Sequence, residues 1–115
     1  MKLSEAIREG AQCSLPLSGE YIWVIDGRVS ACALGCALLP LYPSTSLVLL
    51  NDKQWGDLLV REFPLLHDVK VFQEICRLND REGLGRETIA ACVERWEEGD
   101  ARPEKLSWLH VSDDL

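Results

Sequence analysis

The chain has 115 residues, 47% of them hydrophobic and 27% charged, so it can bury a core of its own without a disulfide or a metal ion. Its 19 acidic and 12 basic side chains give a net charge of −7, which disfavours nucleic-acid binding because that binding needs Lys and Arg at the phosphates. The longest apolar run, residues 31–41, is too short to span a membrane. Glu5 and Glu9 stand where a secretion signal carries its apolar segment, so we expect a cytoplasmic protein.

The N-terminal part of the chain predicts a helix followed by a small β-hairpin. Segment 21–25 is rich in aromatic and β-branched residues, and the Asp26-Gly27 dipeptide after it suits a type I′ turn. We therefore predict a hairpin of residues 21–25 against 28–29. The amphipathic helix before it, over residues 3–12, is indicated by apolar residues spaced four apart: Leu3, Ile7 and Ala11.

The middle of the chain predicts a short helix and then an ambiguous segment. Ser30 is expected to cap a helix that contains Cys32 and Cys36 and stops before Pro40. Residues 47–63 fit either one helix or a strand followed by a helix, and the pattern leaves both open.

Two further helices are predicted in the second half. Asp68 is expected to cap the first of them, and its predicted apolar face consists of Val69, Phe72, Ile75 and Cys76. The last helix, residues 86–98, is expected to start after Gly85 and to end at Gly99.

These elements predict a single domain over residues 1–115, with an acidic extension from about residue 99. Its expected class is α+β and mainly helical, with four to five short helices and one small hairpin.

Acidic residues are concentrated toward the C-terminus. From Glu94 onward, seven acidic side chains stand against three basic ones. Such a run is usually a solvated helix face and an acidic tail. The functional alternative is a surface that binds a basic partner, and its candidate residues are Glu94, Glu97, Glu98 and Asp100.

The thiols of Cys32 and Cys36 are candidates for chemistry, because positions four apart share one helix face. A closed zinc site needs two more ligands, and the candidates, Cys76, Cys92, His67 and His110, form no second close pair. Free cysteine also packs as a small apolar group. We therefore expect packing, reduced thiols, no cofactor and no metal, with a thiol- or zinc-dependent enzyme as the alternative.

Other candidates have structural explanations of their own. A Cys-His-Asp nucleophile would use His67 and Asp68, although this pair is also typical of a helix start. Asn79 and Asp80 are expected in a turn before the last helix. Four tryptophans are many for this length, and an exposed one beside acidic residues would suit a binding hot spot: Trp23, Trp55, Trp96 and Trp108.

Three segments, "MKLSEAIREGA", "CALGCAL" and "LNDREGLGRETIAACVE", resemble in that order a group of small uncharacterised proteins of bacteria, phages and prophages. The similarity covers about a third of the chain. Some of those proteins carry a Cys-x-x-Cys pair before a His-Leu-Asn-Asp-x-His segment, which looks like a zinc site. Arg77 and Glu82 stand at the two histidine positions here, so the resemblance implies a diverged, metal-free version.

Together these observations predict a non-enzymatic, acidic protein-interaction module of phage or prophage origin. One form of it is an inhibitor of a host protein, such as an anti-CRISPR-like factor. The expected partner is a host protein with a basic surface, with no nucleic-acid or membrane binding, and the chain is expected to be a monomer or a homodimer.

Overall fold

The fold of residues 1–104, the part of the chain that the computed structural model describes, is arranged around a short helix of small and apolar residues. In chain order the elements are α1 (Leu3–Gln12), β1 (Leu15–Pro16), β2 (Ile22–Ile25), β3 (Arg28–Ala31), α2 (Ala33–Leu38), α3 (Ser44–Leu47), α4 (Asp52–Glu62), a 3₁₀ turn (Pro64–His67), α5 (Val69–Asp80) and α6 (Arg86–Glu97). The predicted class, a mainly helical single α+β domain, is confirmed. These residues form one α-helix more than expected, the single turn α3.

The central helix α2 is buried over its whole length. It packs on α1, and α1 packs on α6. The backbones come so close that two glycines are required. A Cβ atom on Gly10 would lie 1.9 Å from the Cys36 carbonyl oxygen, and one on Gly35 would lie 1.9 Å from the Tyr21 carbonyl oxygen. The expectation that the "CALGCAL" segment is a packing element is therefore confirmed.

The sheet has the strand order β1-β3-β2, with β2 antiparallel and β1 parallel to β3. Asp26 and Gly27, at φ 52° and 77°, make the turn between β2 and β3, as the Asp-Gly dipeptide predicts. The hairpin begins one residue later than predicted, and β3 extends to Ala31. The strand β1 was not predicted, because two residues are too short to show a period.

The predicted start of α2 is wrong. Ser30 and Ala31 pair with Trp23 and Ile22 in the sheet, so Ser30 is not free to cap. Cys32 is the N-cap instead, and its sulfur accepts a hydrogen bond from the Gly35 amide at 3.3 Å.

A side chain from α5 also holds the start of α2. Asn79 is buried, and its Oδ1 accepts a hydrogen bond from the Ala33 amide at 3.0 Å. Its Nδ2 donates to the Leu17 carbonyl at 2.9 Å and to Asp80 Oδ1 at 2.8 Å. The prediction that Asn79 and Asp80 lie in a turn is wrong, since both belong to the last turn of α5.

Residues 47–63 follow neither predicted alternative. The segment begins with the end of α3 and continues through a break before α4. Asn51 and Gln54 then form a reciprocal capping box. The backbone N–H of Gln54 donates to Asn51 Oδ1, and the backbone N–H of Asn51 donates to Gln54 Oε1. This capping box fixes the start of α4.

Asp68 caps α5 as predicted, accepting a hydrogen bond from the Lys70 amide at 3.0 Å. The predicted apolar face of α5 is only partly correct: Ile75 is buried, Phe72 and Cys76 are half-buried and Val69 is exposed. The buried side chains that the prediction missed are Val71, Leu78 and Asn79.

The predicted ends of α6 are confirmed apart from one residue. Gly85 precedes the helix, which ends at Glu97. Gly99 has φ 105°. Its amide donates to the Trp96 carbonyl, and the Asp100 amide donates to the Arg95 carbonyl, which is the Schellman arrangement. Among the described residues, no helix is long and apolar enough to cross a bilayer.

The close contacts of the two glycines generate a stability prediction. Gly10→Ala and Gly35→Ala should each destabilise the fold by about 1–3 kcal/mol or more, because backbone atoms must move to admit the methyl group. Urea unfolding followed by circular dichroism measures this. Gly56 lies inside α4 with nothing within 4 Å of an added Cβ, so Gly56→Ala should stabilise by up to about 1 kcal/mol. Equal effects at all three positions would contradict the packing argument.

Candidate functional site

The solvent-facing side of the sheet carries an exposed apolar surface. Trp23 and Leu15 both lie beside Ser30, and Ile25 lies beside Arg28, so these side chains share one face. The opposite face includes Ala31, which is fully buried. Leu15, Trp23 and Ile25 are 53%, 50% and 58% exposed. We call these three residues the sheet patch.

The surroundings of the sheet patch suit contact with another molecule. β2 is an edge strand, paired only with β3, so its outer backbone groups have no strand partner within the described part of the chain. A shallow groove of about 540 Å³ runs along the same face, lined by Leu15, Ile25, Asp26, Arg28 and Ser30. The sheet patch therefore combines apolar side chains, charged neighbours and a free strand edge.

A separate cavity of about 220 Å³ lies where β2 begins, between α2, α4 and α5. We call it the Tyr21 cavity. Its walls include Cys32, Leu34 and Ile75, which are buried, and Cys76 and Tyr21, which are half-buried. Its remaining side chains with ionisable groups are three exposed carboxylates: Glu20, Asp52 and Asp80.

Tyr21 is held in place by its ring. It stacks on Trp55 with the ring centroids 4.9 Å apart and the planes 7° from parallel, and Trp55 Nε1 donates to the Leu47 carbonyl at 3.2 Å. Burial raises the pKa of the Tyr21 hydroxyl, as do the nearby thiols and the carboxylates of Asp52 and Asp80. The phenol therefore stays protonated in the cavity wall.

The structure places Cys32 and Cys36 in structural roles. Burial raises the pKa of Cys32 to about 12, against the weaker opposing effect of the Gly35 amide. Burial also raises the pKa of Cys36, although Ser14 and Arg86 favour its thiolate. A nucleophilic or metal-binding thiol requires the thiolate form, so these environments disfavour the thiol-enzyme alternative.

Arg86 joins the start of α6 to the end of α1. Its guanidinium donates to the carbonyls of Ala11 and Ser14 at 3.2 and 2.8 Å, and to the Ser14 hydroxyl at 2.6 Å. It also lies 3.1 Å from the Cys36 sulfur. Arg86 thus makes its contacts with backbone carbonyls, a hydroxyl and a thiol, which makes it a packing residue rather than a free basic group.

The predicted acidic surface is partly engaged within the fold. Glu94 pairs with Arg8 at 3.2 Å, and Asp100 pairs with Arg95 at 3.5 Å. Glu97 accepts hydrogen bonds from the backbone amide and the hydroxyl of Ser4 at the start of α1. The Glu98 carboxylate makes no hydrogen bond or ion pair with another described residue. Of the four predicted binding residues, Glu98 is thus the one whose carboxylate is not engaged by other residues up to 104.

Two of the predicted metal-ligand candidates, Cys32 and Cys76, lie in the wall of the Tyr21 cavity, but they do not form part of a larger set of ligands within residues 1–104. Within residues 1–104, no group of three or more His, Cys, Asp or Glu side chains is placed to hold a metal ion. His67 lies in the 3₁₀ turn before α5. His110 and Trp108 fall outside the described residues. Arg77, at one of the two histidine positions of the resembling proteins, pairs with Glu74 and Glu82.

Of the sheet patch, Trp23 was among the tryptophans predicted as possible hot spots, whereas Leu15 and Ile25 were not predicted, although a signal for Ile25 was present. Alternation in a hairpin puts Trp23 and Ile25 on one face, and Ser30 and Arg28 opposite them are polar, which marks that face as the solvent side. The Tyr21 cavity left no such signal, because its walls come from segments far apart in the chain.

Comparison of the chain with protein-family models, with curated proteins and with solved structures finds no match.

The thiol environments generate a labelling prediction. At about pH 8, N-ethylmaleimide should modify the exposed Cys13 first, while Cys32 and Cys76, with pKa values raised by burial to about 12 and about 11, react slowly because the thiolate is the nucleophile. Peptide mass mapping against time measures this.

Labelling in urea is the control, since all five thiols should then react alike. Because the folded pKa values are raised, the stability gained from keeping these thiols protonated is present below about pH 8.5 and falls as the pH rises toward 11 and 12. Labelling of Cys32 in the folded protein as fast as that of Cys13 would support the enzyme alternative instead.

Proposed function

We propose that this chain is a non-enzymatic protein-interaction module that binds a partner protein through the sheet patch. The observation that carries the proposal is the exposure of Leu15, Trp23 and Ile25 together on one face of the sheet. Tryptophan is the residue most enriched in binding hot spots, and contiguous exposed apolar side chains with polar neighbours are typical of protein interfaces. The free edge of β2 adds backbone groups that can pair with a strand of the partner.

The charge of the chain supports a basic partner. The net charge is −7, and complementary charge speeds association and disfavours acidic competitors. Glu98 and Asp100 at the end of α6 belong to this proposal as a second, weaker contact. Glu94 and Glu97 contribute to the overall field while they hold α1 against α6.

The biological setting that we propose follows from the resemblance alone. A phage or prophage origin, and the inhibition of a host protein in the manner of an anti-CRISPR factor, would suit a small acidic chain that covers a basic surface. The binding experiment below tests the interaction itself and does not depend on this setting.

Substitutions in the sheet patch should weaken binding. Tagged wild-type protein is used to capture partners from a host lysate, and the captured protein is then purified for titration calorimetry. Trp23→Ser should weaken binding by about 2 kcal/mol or more, about 30-fold in Kd, because a central tryptophan is lost from the interface. Ile25→Ser should weaken it less.

Leu49→Ser is the matched control, because Leu49 is 81% exposed but lies outside the sheet patch, between α3 and α4. Circular dichroism verifies that each variant is folded. Tight binding by Trp23→Ser would refute the proposal.

The same titration separates the sheet patch from the acidic surface. Glu98→Lys breaks no contact with a described residue, so a loss of affinity relative to the wild type that is largest at low salt and shrinks at high salt would assign Glu98 to the interface. Glu94→Lys also removes the ion pair with Arg8. The affinity of this variant is therefore compared with the wild type only after its free energy of unfolding has been measured. Full binding by Glu98→Lys and Asp100→Lys would restrict the interface to the sheet patch.

A further inference from the structure

The Tyr21 cavity has the chemistry of a site for an organic cation. Three carboxylates, those of Glu20, Asp52 and Asp80, line it, and no Lys, Arg or His side chain does. None of the three forms an ion pair with another described residue. Their negative charges therefore converge on one concave space without a cation from the described chain to balance them.

The cavity also offers polar groups that the fold leaves unused. The Tyr21 hydroxyl makes no hydrogen bond with another described residue, although the ring is fixed by its stacking on Trp55. Cys32 is only 8% exposed, and its sulfur accepts from the Gly35 amide while its own hydrogen has no acceptor within residues 1–104. The Tyr21 hydroxyl and the Cys32 thiol therefore have hydrogen-bonding capacity, unused within residues 1–104, for a molecule in the cavity.

The remaining wall is apolar and the space is small. Leu34 and Ile75 are buried side chains that can pack on a short alkyl chain. A volume of about 220 Å³ corresponds to about seven water molecules at ~30 Å³ each. This space suits a short chain with one charged group, and the three carboxylates would repel the phosphates of a nucleotide.

We propose that the Tyr21 cavity binds an alkylammonium or guanidinium group with a short apolar stem. The stem packs on Leu34 and Ile75. The charged nitrogens donate to the carboxylates of Glu20, Asp52 and Asp80 and to the Tyr21 oxygen. Such a group is present in a free small amine and in a Lys or Arg side chain of a protein. The cavity and the sheet patch share no lining residue, so this site is independent of the proposed function.

The test uses the full chain labelled with ¹⁵N and n-butylguanidinium chloride as the probe. We expect saturable shifts in the amide signals of Gly19, Tyr21 and Asn79, with a Kd of about 1 mM, as suits so small a ligand. Neutral n-pentanol and anionic pentanoate should bind at least about 10-fold more weakly, because charge-assisted hydrogen bonds are lost.

Variants locate the binding. Glu20→Gln combined with Asp52→Asn should weaken the Kd for n-butylguanidinium about 10-fold or more, and Tyr21→Phe should weaken it less while keeping the stacking on Trp55. Glu5→Gln combined with Glu9→Gln is the matched control. It also removes two negative charges, but from exposed positions of α1 that do not line the cavity, so it should leave the Kd unchanged.

A blocked arginine, N-acetyl-arginine-N-methylamide, distinguishes the sources of the cation. Binding at least as tight as that of n-butylguanidinium assigns the site to a protein side chain, whereas weaker binding assigns it to a free small amine. The proposal is overturned by equal binding of n-pentanol, by an unchanged Kd in the Glu20→Gln, Asp52→Asn variant, or by the absence of shifts at about 50 mM probe, far above the expected Kd.

Discussion

The contact of α2 with the backbones of α1 and Tyr21 sets the positions of both candidate sites. Because Gly10 and Gly35 have no side chains, the Cys36 and Tyr21 carbonyls lie where a methyl group would otherwise stand. This closeness brings the end of β3 and the start of β2 onto the core, with Ala31 fully buried. The opposite face of the same strands is then turned to solvent, and Tyr21 is placed beside α4 and α5. The close packing at these two glycines thus places the Tyr21 cavity at the start of β2 and the sheet patch on the solvent side of the same strand.

The starts of α1 and α2 are held by side chains from helices that are distant in the sequence. The α1 N-terminus has no cap of its own, and Glu97 of α6 accepts from its Ser4 amide. The α2 N-terminus receives Asn79 of α5. An acceptor at a helix start satisfies free amides and opposes the helix dipole. Glu97, a predicted partner-binding residue, therefore joins α6 to α1, and Asn79 joins α5 to α2.

Much of the fold was predictable from local signals, and the parts that were not depend on distant contacts. The Asp26-Gly27 turn, the Asp68 cap and the Gly99 stop each act within a few residues, so the sequence indicates them directly. The turn propensity of Asn79 predicts a turn, whereas its position in α5 is linked to partners, Ala33 and Leu17, that are 46 and 62 residues away. Ser30 was assigned as a cap because its propensity is strong, but pairing with Trp23 places it in the sheet. Alternation in the hairpin places Trp23 and Ile25 on one face, but the position of Leu15 beside them depends on the pairing of β1 with β3, and the Tyr21 cavity depends on tertiary packing.

The antiparallel pair of α1 and α6 is joined by different chemistry at its two ends. Near the start of α6, Arg86 bonds to carbonyls and a hydroxyl of the α1 C-terminal segment, and none of these acceptors takes up a proton in mild acid. Farther along, Arg8 pairs with Glu94 and lowers the pKa of that carboxylate. The stabilisation from this lowered pKa is present above the ordinary carboxylate range and is lost as the pH falls through the folded value. Acid therefore weakens the contact between Arg8 and Glu94 and leaves the hydrogen bonds of Arg86 in place, so the two ends of this helix pair respond differently to pH.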